Sequence, residues 1–237
     1  MRKETDLGAV QQMAILFLNM KPEKPEGELG KVFVIHPILE TNMIILQSTG
    51  EFFNIFEDSE KYEIWLGEMK EFFENCDSVD RIMCHIRKSY RLTFFKYINK
   101  YLSAKDFALL LKDVWIMAEN ISDDKNVSMK ELVKWFKMAD KRYLLDKKEK
   151  KLLSELPNGV SVYRGVRSED YKYDMSWTLS LENAKWFAER YNTDTQIVYK
   201  AVIQKQDILA YLNDRNEEEV IIDPVALKKY NIEEVEL

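Results

Sequence analysis

The hydrophobic period of this chain changes once, at Pro157-Asn158-Gly159, and that change limits the folds open to it. Before the turn, over residues 52–143, apolar side chains recur at three- and four-residue spacing: Ile82, Ile86 and Tyr90, then Phe94, Tyr97, Ile98 and Tyr101. That is the period of helices burying one face. After the turn, residues 160–166 (VSVYRGV) alternate and are β-branched, as a half-buried strand requires. The expected class is therefore α+β, with a mainly helical N-terminal region followed by a region of short strands and flanking helices.

Local signals fill in this outline. Residues 31–35 (KVFVI), bounded by Gly30 and His36-Pro37, read as a strand, with residues 43–46 as its partner in a short hairpin near 31–47. Ser103 stands three residues before Asp106, Ser128 before Glu131 and Asp146 before Glu149, the spacing at which a hydroxyl or carboxylate and an acid satisfy opposing free backbone amides at a helix start. Ser180 caps a helix expected to run through Tyr191. Residues 196–203 (QIVYKAVI) form a second strand, 206–212 a short helical turn, and 218–222 (EEVII) a third strand ended by Asp223-Pro224. The polar run 122–126 divides a helical region, 1–121, from a second domain, 122–237.

Composition excludes some function classes. With 35 basic and 41 acidic residues the net charge is -6, which argues against a generic nucleic-acid coat, since counterion release needs clustered cations. A local basic patch stays open. Cys76 and Cys84, seven residues apart, suit neither a disulfide framework nor a zinc site, and His36 and His85 do not complete a metal cluster, so no metal is expected. The apolar run 14–18 is too short to span a membrane and lacks the flanks of a signal peptide. A reducing cytoplasm, of its own cell or of a target cell, is the expected location.

Three segments carry candidate chemistry. Arg164, in a strand of Val160, Val162 and Val166, needs a partner for its guanidinium; a bidentate phosphate suits it, as does a surface carboxylate. Gly165 beside it permits close approach of a ligand to the backbone. Ser176-Trp177-Thr178 offers two hydroxyls that can bond a carboxylate or a sugar and an indole able to wall an apolar pocket, or else forms a capping loop with a core tryptophan. Strand side chains alternate, so Glu217 and Glu219 share one face, with Cα atoms roughly 6.5–7 Å apart. Like carboxylates so placed are unfavourable without a function or a cation between them; an acidic strand edge is the plainer reading.

Taken in order, Tyr163-Arg164-Gly165, Ser176-Trp177-Thr178 with the helix Ala184-Lys185-Trp186-Phe187-Ala188 behind it, and Glu217-Glu218-Glu219-Val220 resemble the R-S-E class of ADP-ribosyltransferases. The resemblance covers residues 156–237, about a third of the chain. It implies a catalytic core of two small packed β-sheets with helices flanking a cleft for NAD, which is a substrate, and no Rossmann fingerprint. Arg164 would bind the NAD phosphates and Gly165 the nicotinamide carboxamide. Ser176 would orient Glu219, and Glu219 would bond the ribose and stabilise the oxocarbenium charge. Glu217 would orient and deprotonate the acceptor, and Trp177 or Phe187 would stack on nicotinamide. The middle motif departs from the commoner Ser-Thr-Ser, so Thr178 or Ser180 are alternatives to Ser176 as the orienting hydroxyl.

The ExE pattern implies protein arginine as acceptor and a toxin-like enzyme, with an antitoxin or immunity protein as partner. Modification of RNA or DNA is the competing reading. Its support is the basic and aromatic stretch Arg87-Lys88-Ser89-Tyr90-Arg91, Phe94, Phe95, Lys96, Tyr97, Lys100 and Tyr101, though at helical spacing those aromatics suit a core. The run 147–151 (KKEKK) reads as a solvated helix face. NAD hydrolysis with water as acceptor, and a catalytically idle binder of NAD or ADP-ribose, complete the set; a binder has no use for the second carboxylate.

Overall fold

The computed structural model describes residues 2–118, 125–190 and 196–236. The chain divides into two compact units, Met1–Glu119 and Asn120–Leu237. Most of the polar run expected to mark the division, and Tyr191, expected to end the helix capped by Ser180, lie outside the described residues. No helix among the described residues is long and apolar enough to cross a membrane.

The first unit contains α1 (Leu7–Leu18), a hairpin of β1 (Met43–Ile45) and β2 (Phe52–Asn54), and then α2 (Ser59–Glu74), α3 (Val79–His85), α4 (Lys88–Ile98) and α5 (Ala104–Met117). Four of the five helices begin on a side-chain cap: Asp6, Asp58, Ser78 and Ser103 each accept a first-turn amide. The Ser103 cap lacks the reciprocal half of a box, because the Asp106 carboxylate accepts from the Thr5 hydroxyl instead. Val10, Ala14, Phe17 and Leu18 bury one side of α1, and Phe17 meets Phe94 of α4 edge-on at 5.0 Å. Leu92, Phe94, Phe95 and Ile98 are buried, while Tyr97 is half exposed. Arg87 donates to the carbonyls of Val34 and Leu39, and Arg91 to that of Ile86, so both arginines of that stretch bond to backbone.

The expected hairpin near 31–47 is displaced. A 3-10 turn covers Gly27–Lys31, Phe33 and Ile35 make only isolated bridges with Thr41 and Glu23, and the ladder runs from Met43↔Asn54 to Ile45↔Phe52. Side chains bond the backbone where a ladder was expected. The Asn42 amide donates to the Lys31 carbonyl, and buried His36 accepts the Ile38 and Leu39 amides at Nδ1 while Nε2 faces the Leu18 and Met20 carbonyls. Only the neutral Nε2–H tautomer fits those four partners. Burial, with Arg87 nearby, lowers the pKa of His36 although the two carbonyls act the other way.

The second unit opens with α6 (Met129–Met138), α7 (Lys141–Leu144) and α8 (Lys147–Glu155). Both expected capping boxes, Ser128/Glu131 and Asp146/Glu149, are complete. Six antiparallel strands follow: β3 (Gly159–Val166), β4 (Ser176–Thr178), β5 (Ile197–Gln204), β6 (Ile208–Leu212), β7 (Glu219–Ile222) and β8 (Ile232–Val235), with α9 (Leu181–Glu189) after β4 and α10 (Pro224–Leu227) after β7. The protein is thus α+β, with antiparallel sheets of two and six strands.

Spatial order in the larger sheet is β6-β7-β4-β3-β5-β8. Residues 206–212, expected as a helical turn, are helical only through Lys205–Asp207 and then form β6. Ile208, Ala210, Tyr211 and Leu212 are all buried, and a strand apolar on both faces has no period that separates it from a helix. One face packs Val160, Val162, Val166, Trp177, Val220 and Ile222 into a core to which Leu152 and Leu153 of α8 add. The opposite face carries α9, whose Ala184 and Ala188 pack on Val198 beside Tyr163.

Candidate active site

The six strands form two triplets that share a single residue pair. β3 aligns with β5 over eight pairs and β4 with β7 over three, but β3 and β4 meet only at Tyr163↔Thr178. Past that pair, toward Gly165 on one strand and Ser176 on the other, no ladder joins them. The side chains singled out in the sequence converge at this junction.

Register decides which groups can meet. Thr178 pairs with Tyr163 on one side and with Glu219 on the other, so these three point to the face that carries α9. Ser176, two residues from Thr178, shares that face and stands diagonal to Glu219. From there the Ser176 hydroxyl donates to Oε1 of Glu219 at 2.5 Å. Glu219 is buried, at 7% exposure, so this charge-assisted bond forms out of bulk water, where it is stronger.

Arg164 has the opposite parity and points with Val162 and Val166. Its guanidinium bridges the place where the strands part: Nε donates to the Tyr171 carbonyl at 2.8 Å, Nη2 to Oδ2 of Asp174 at 2.9 Å, and Nη1 to the Ser176 carbonyl. The Arg164–Asp174 side chains are 14% and 11% exposed, an almost buried ion pair. The fork that suits a phosphate is thus met by the chain itself, and it fixes the 171–176 connection. Ser176 is held at both ends, its carbonyl by Arg164 and its hydroxyl by Glu219, so one residue from each of three strands forms a continuous bonded path.

Gly165 lets α9 pack close against β3. A Cβ there would lie 1.8 Å from the Ala184 carbonyl oxygen and 2.6 Å from the Ala188 nitrogen, so α9 covers it. Trp177 is a core residue, 2% exposed, whose indole N–H donates to the Asp174 carbonyl at 3.0 Å. The Thr178 hydroxyl donates to the Glu217 carbonyl and accepts the Ser180 amide, and the Ser180 hydroxyl caps α9 through the Asn183 amide. Ser176 is the hydroxyl of this segment that reaches Glu219. Phe187 is half-buried on α9, edge-on to exposed Trp186 at 5.0 Å.

Glu217 lies outside the strand. β7 begins at Glu219, and both neighbours of Glu217, Asn216 and Glu218, have positive φ, 57° and 48°. Alternation therefore does not relate Glu217 to Glu219, and the spacing expected of one strand face does not apply. A set of bonds holds the turn: Glu218 N–H to Asn213 Oδ1, Leu179 N–H to the Glu218 carbonyl, Thr178 to the Glu217 carbonyl and Asn183 Nδ2 to the Asn216 carbonyl. Asn213 is in turn fixed by buried Glu149, whose Oε1 accepts its amide while Oε2 completes the box on Asp146. The Glu217 carboxylate pairs with Arg215 at 2.9 Å. Nearby Tyr211 has its phenol pKa raised by burial and then by the charges of Glu218 and Glu149, so it stays neutral.

Asp174, Glu149 and Asn213 support the site without having been singled out for it. The capping spacing at Asp146 gave Glu149 a place but not its second bond, and a strand arginine calls for a carboxylate without saying which. Elsewhere in the unit, a 480 Å³ cavity lies between Lys141, Arg142, Lys150 and Lys205 over Leu145 and Ile208, and none of the residues above lines it. Among the described residues no group of three or more His, Cys, Asp or Glu is placed to hold a metal ion. Neither a family model, nor a curated protein, nor a solved structure matches the chain.

Proposed function

We propose that the second unit is an NAD-dependent mono-ADP-ribosyltransferase, toxin-like, that cleaves the nicotinamide–ribose bond and transfers ADP-ribose to a macromolecular acceptor, protein arginine first among them. The observation that carries this reading is the bonded path Arg164–Ser176–Glu219, drawn from three strands in the order that the R-S-E resemblance requires.

The chemistry follows from the residue types and from the roles that the resemblance implies for them. The C1′–N bond of NAD breaks with its electron pair returning to the pyridinium ring, so neutral nicotinamide leaves and positive charge develops on the ribose. Glu219, held by Ser176, supplies the fixed negative charge that stabilises this oxocarbenium character. An acceptor guanidinium approaches beside Glu217, whose carboxylate takes a proton as the nitrogen bonds to C1′. Arg164 acts by keeping β4 in register at the junction, and its contribution to NAD phosphate binding follows from that position or from exchange of a partner when NAD enters. Phe187 is the aromatic we assign to nicotinamide, on the resemblance alone.

The test is incubation with adenylate-labelled NAD and a cell lysate, comparing wild type with Glu219→Gln and then treating with protease or nuclease. Label that requires Glu219 and is released by protease supports a protein acceptor. Release by nuclease moves the function to RNA or DNA, and consumption of NAD without label makes the protein a glycohydrolase. NAD left intact contradicts the reading.

A further inference from the structure

Away from the strand junction, the 480 Å³ cavity of the second unit gathers charge of one sign. Its ionisable lining residues are Lys141, Arg142, Lys150 and Lys205, all cations, in a chain whose net charge is -6. The sequence concentrates them. Residues 141–154 hold six basic side chains against two acidic, and both acids, Asp146 and Glu149, belong to the capping box of α8. Backbone carbonyls hold two of the cations in place: Lys150 Nζ donates to the Arg142 carbonyl at 2.8 Å, and Lys205 Nζ to the carbonyls of Ser154 and Leu156 where α8 ends. A carbonyl orients an ammonium and leaves its net charge in place. Arg142, 79% exposed, pairs with Asp140 at 2.7 Å, and the pKa of that carboxyl is lowered by Arg142 first and, through space, by Lys150. Among the described residues Asp140 is the one carboxylate in ion-pair contact with this set. Four like charges around one hollow repel one another until an anion enters.

The rest of the lining narrows the ligand. Leu145 and Ile208 are each 3% exposed and Leu153 is half-buried, an apolar surface that a bare inorganic anion would leave uncovered. Ser154 and Gln206 add hydroxyl and amide groups. Together these suit a phosphate joined to a heterocyclic base, whose faces are apolar and whose edge carries donors and acceptors. The volume falls in the range of small-molecule sites, about 300–1,000 Å³.

We propose that this cavity binds a nucleoside monophosphate, with the phosphate among the four cations and the base against Leu145, Leu153 and Ile208. Lys150 and Lys205 meet phosphate oxygens as point charges while keeping their carbonyls, and Arg142 exchanges Asp140 for two phosphate oxygens. Ser154 and Gln206 meet the ribose or the edge of the base. None of Arg164, Ser176, Glu217 and Glu219 lines the cavity, so the site stands independently of the transferase reading.

The full chain is titrated calorimetrically with the 5′-monophosphates of adenosine, guanosine, cytidine and uridine, with inorganic phosphate and with a single-stranded oligonucleotide, in parallel with Lys141→Glu and Lys150→Glu. Lys150→Glu gives up the bond to the Arg142 carbonyl. The Lys141 side chain bonds nothing among the described residues, so Lys141→Glu tests the charge with the fold intact, which unfolding midpoints check. Expected results are sub-millimolar binding of at least one monophosphate, weaker at raised ionic strength, and a Kd at least about tenfold higher in each variant. Binding of no monophosphate at millimolar concentration overturns the proposal. So does a Kd unchanged in Lys141→Glu, which puts the nucleotide elsewhere, the NAD cleft included. Inorganic phosphate bound as tightly as any nucleotide, or the oligonucleotide bound more tightly at these lysines, overturns it in favour of a simple anion hollow or a nucleic-acid interface.

Discussion

The two units bury their polar groups to different ends. In Met1–Glu119, His36, Asn42 and Arg87 bond backbone carbonyls and amides within a stretch without regular structure, so their side chains replace a missing ladder. In Asn120–Leu237, side chains bond one another: Ser176 to Glu219 across two strands, Arg164 of β3 to Asp174 just ahead of β4, and Arg215 to Glu217 within one turn. The first pattern satisfies the backbone of a loop that a sheet would otherwise satisfy. The second concentrates charge where two strand triplets part after one residue pair, at a place where an all-apolar junction would pack with less desolvation cost. Polar side chains that bond backbone are read as architecture; acids and bases that bond one another at a break in a sheet are read as chemistry.

The contrast can be broken or sharpened at particular residues. The largest effect is expected at Glu219→Gln: NAD cleavage falls by at least about 10³-fold, since a fixed charge at the reacting centre is lost, while thermal unfolding hardly moves because the replacement is nearly isosteric. Glu217→Gln removes transfer to a guanidine by about 10²–10⁴-fold but leaves NAD hydrolysis, which a rate comparison with and without agmatine reads directly. Equal loss of both rates would contradict the division of roles.

Arg164→Ala leaves Asp174 uncompensated and almost buried, so chemical denaturation should show a loss of about 3–5 kcal/mol, larger than for any of the other variants named. Arg164→Lys, a point charge in place of a fork, recovers only part of it. Ser176→Ala removes one hydrogen bond to a charged group, worth about 1.5–3 kcal/mol, which in kcat corresponds to a fall of roughly 10- to 100-fold. Its stability should fall by a similar amount at most, less than for Arg164→Ala.

The smallest effect belongs to the first unit and depends on pH. The folded-state pKa of His36 lies below its ordinary 6.5, so above that value the neutral ring contributes in full. As pH falls below it, the unfolded chain takes up the proton more readily than the folded one, and stability is lost progressively toward the lower folded pKa. Unfolding midpoints measured from pH 7.5 down to 5 should fall, and the slope should flatten in His36→Gln. An unchanged slope in that variant would assign the pH dependence to other groups.

Much of this was legible before the structure, for identifiable reasons. The change of period at Pro157-Asn158-Gly159 marked where helices give way to strands, and Ser128/Glu131 and Asp146/Glu149 marked helix starts, because both signals are local and repeated. What escaped was non-local or lacked periodicity. β6 is apolar on both faces, residues 31–42 are held by Asn42 and His36 from a distance, and the positive φ values at Asn216 and Glu218 have no glycine to announce them. At the site, Arg164, Ser176 and Glu219 were visible as residue types in order. That Arg164 reaches Asp174, that Gly165 lies under α9 and that Trp177 faces the core depend on strand parity, which the spacing alone left open.

The most direct measurement is release of nicotinamide from NAD by the purified full chain, wild type against Glu219→Gln, with unfolding midpoints recorded for both. Release by the wild type and its loss in a variant that melts at the same temperature is the expected result. No release by the wild type, or equal release by the variant, would contradict the assignment of the Ser176–Glu219 pair as the centre of NAD cleavage.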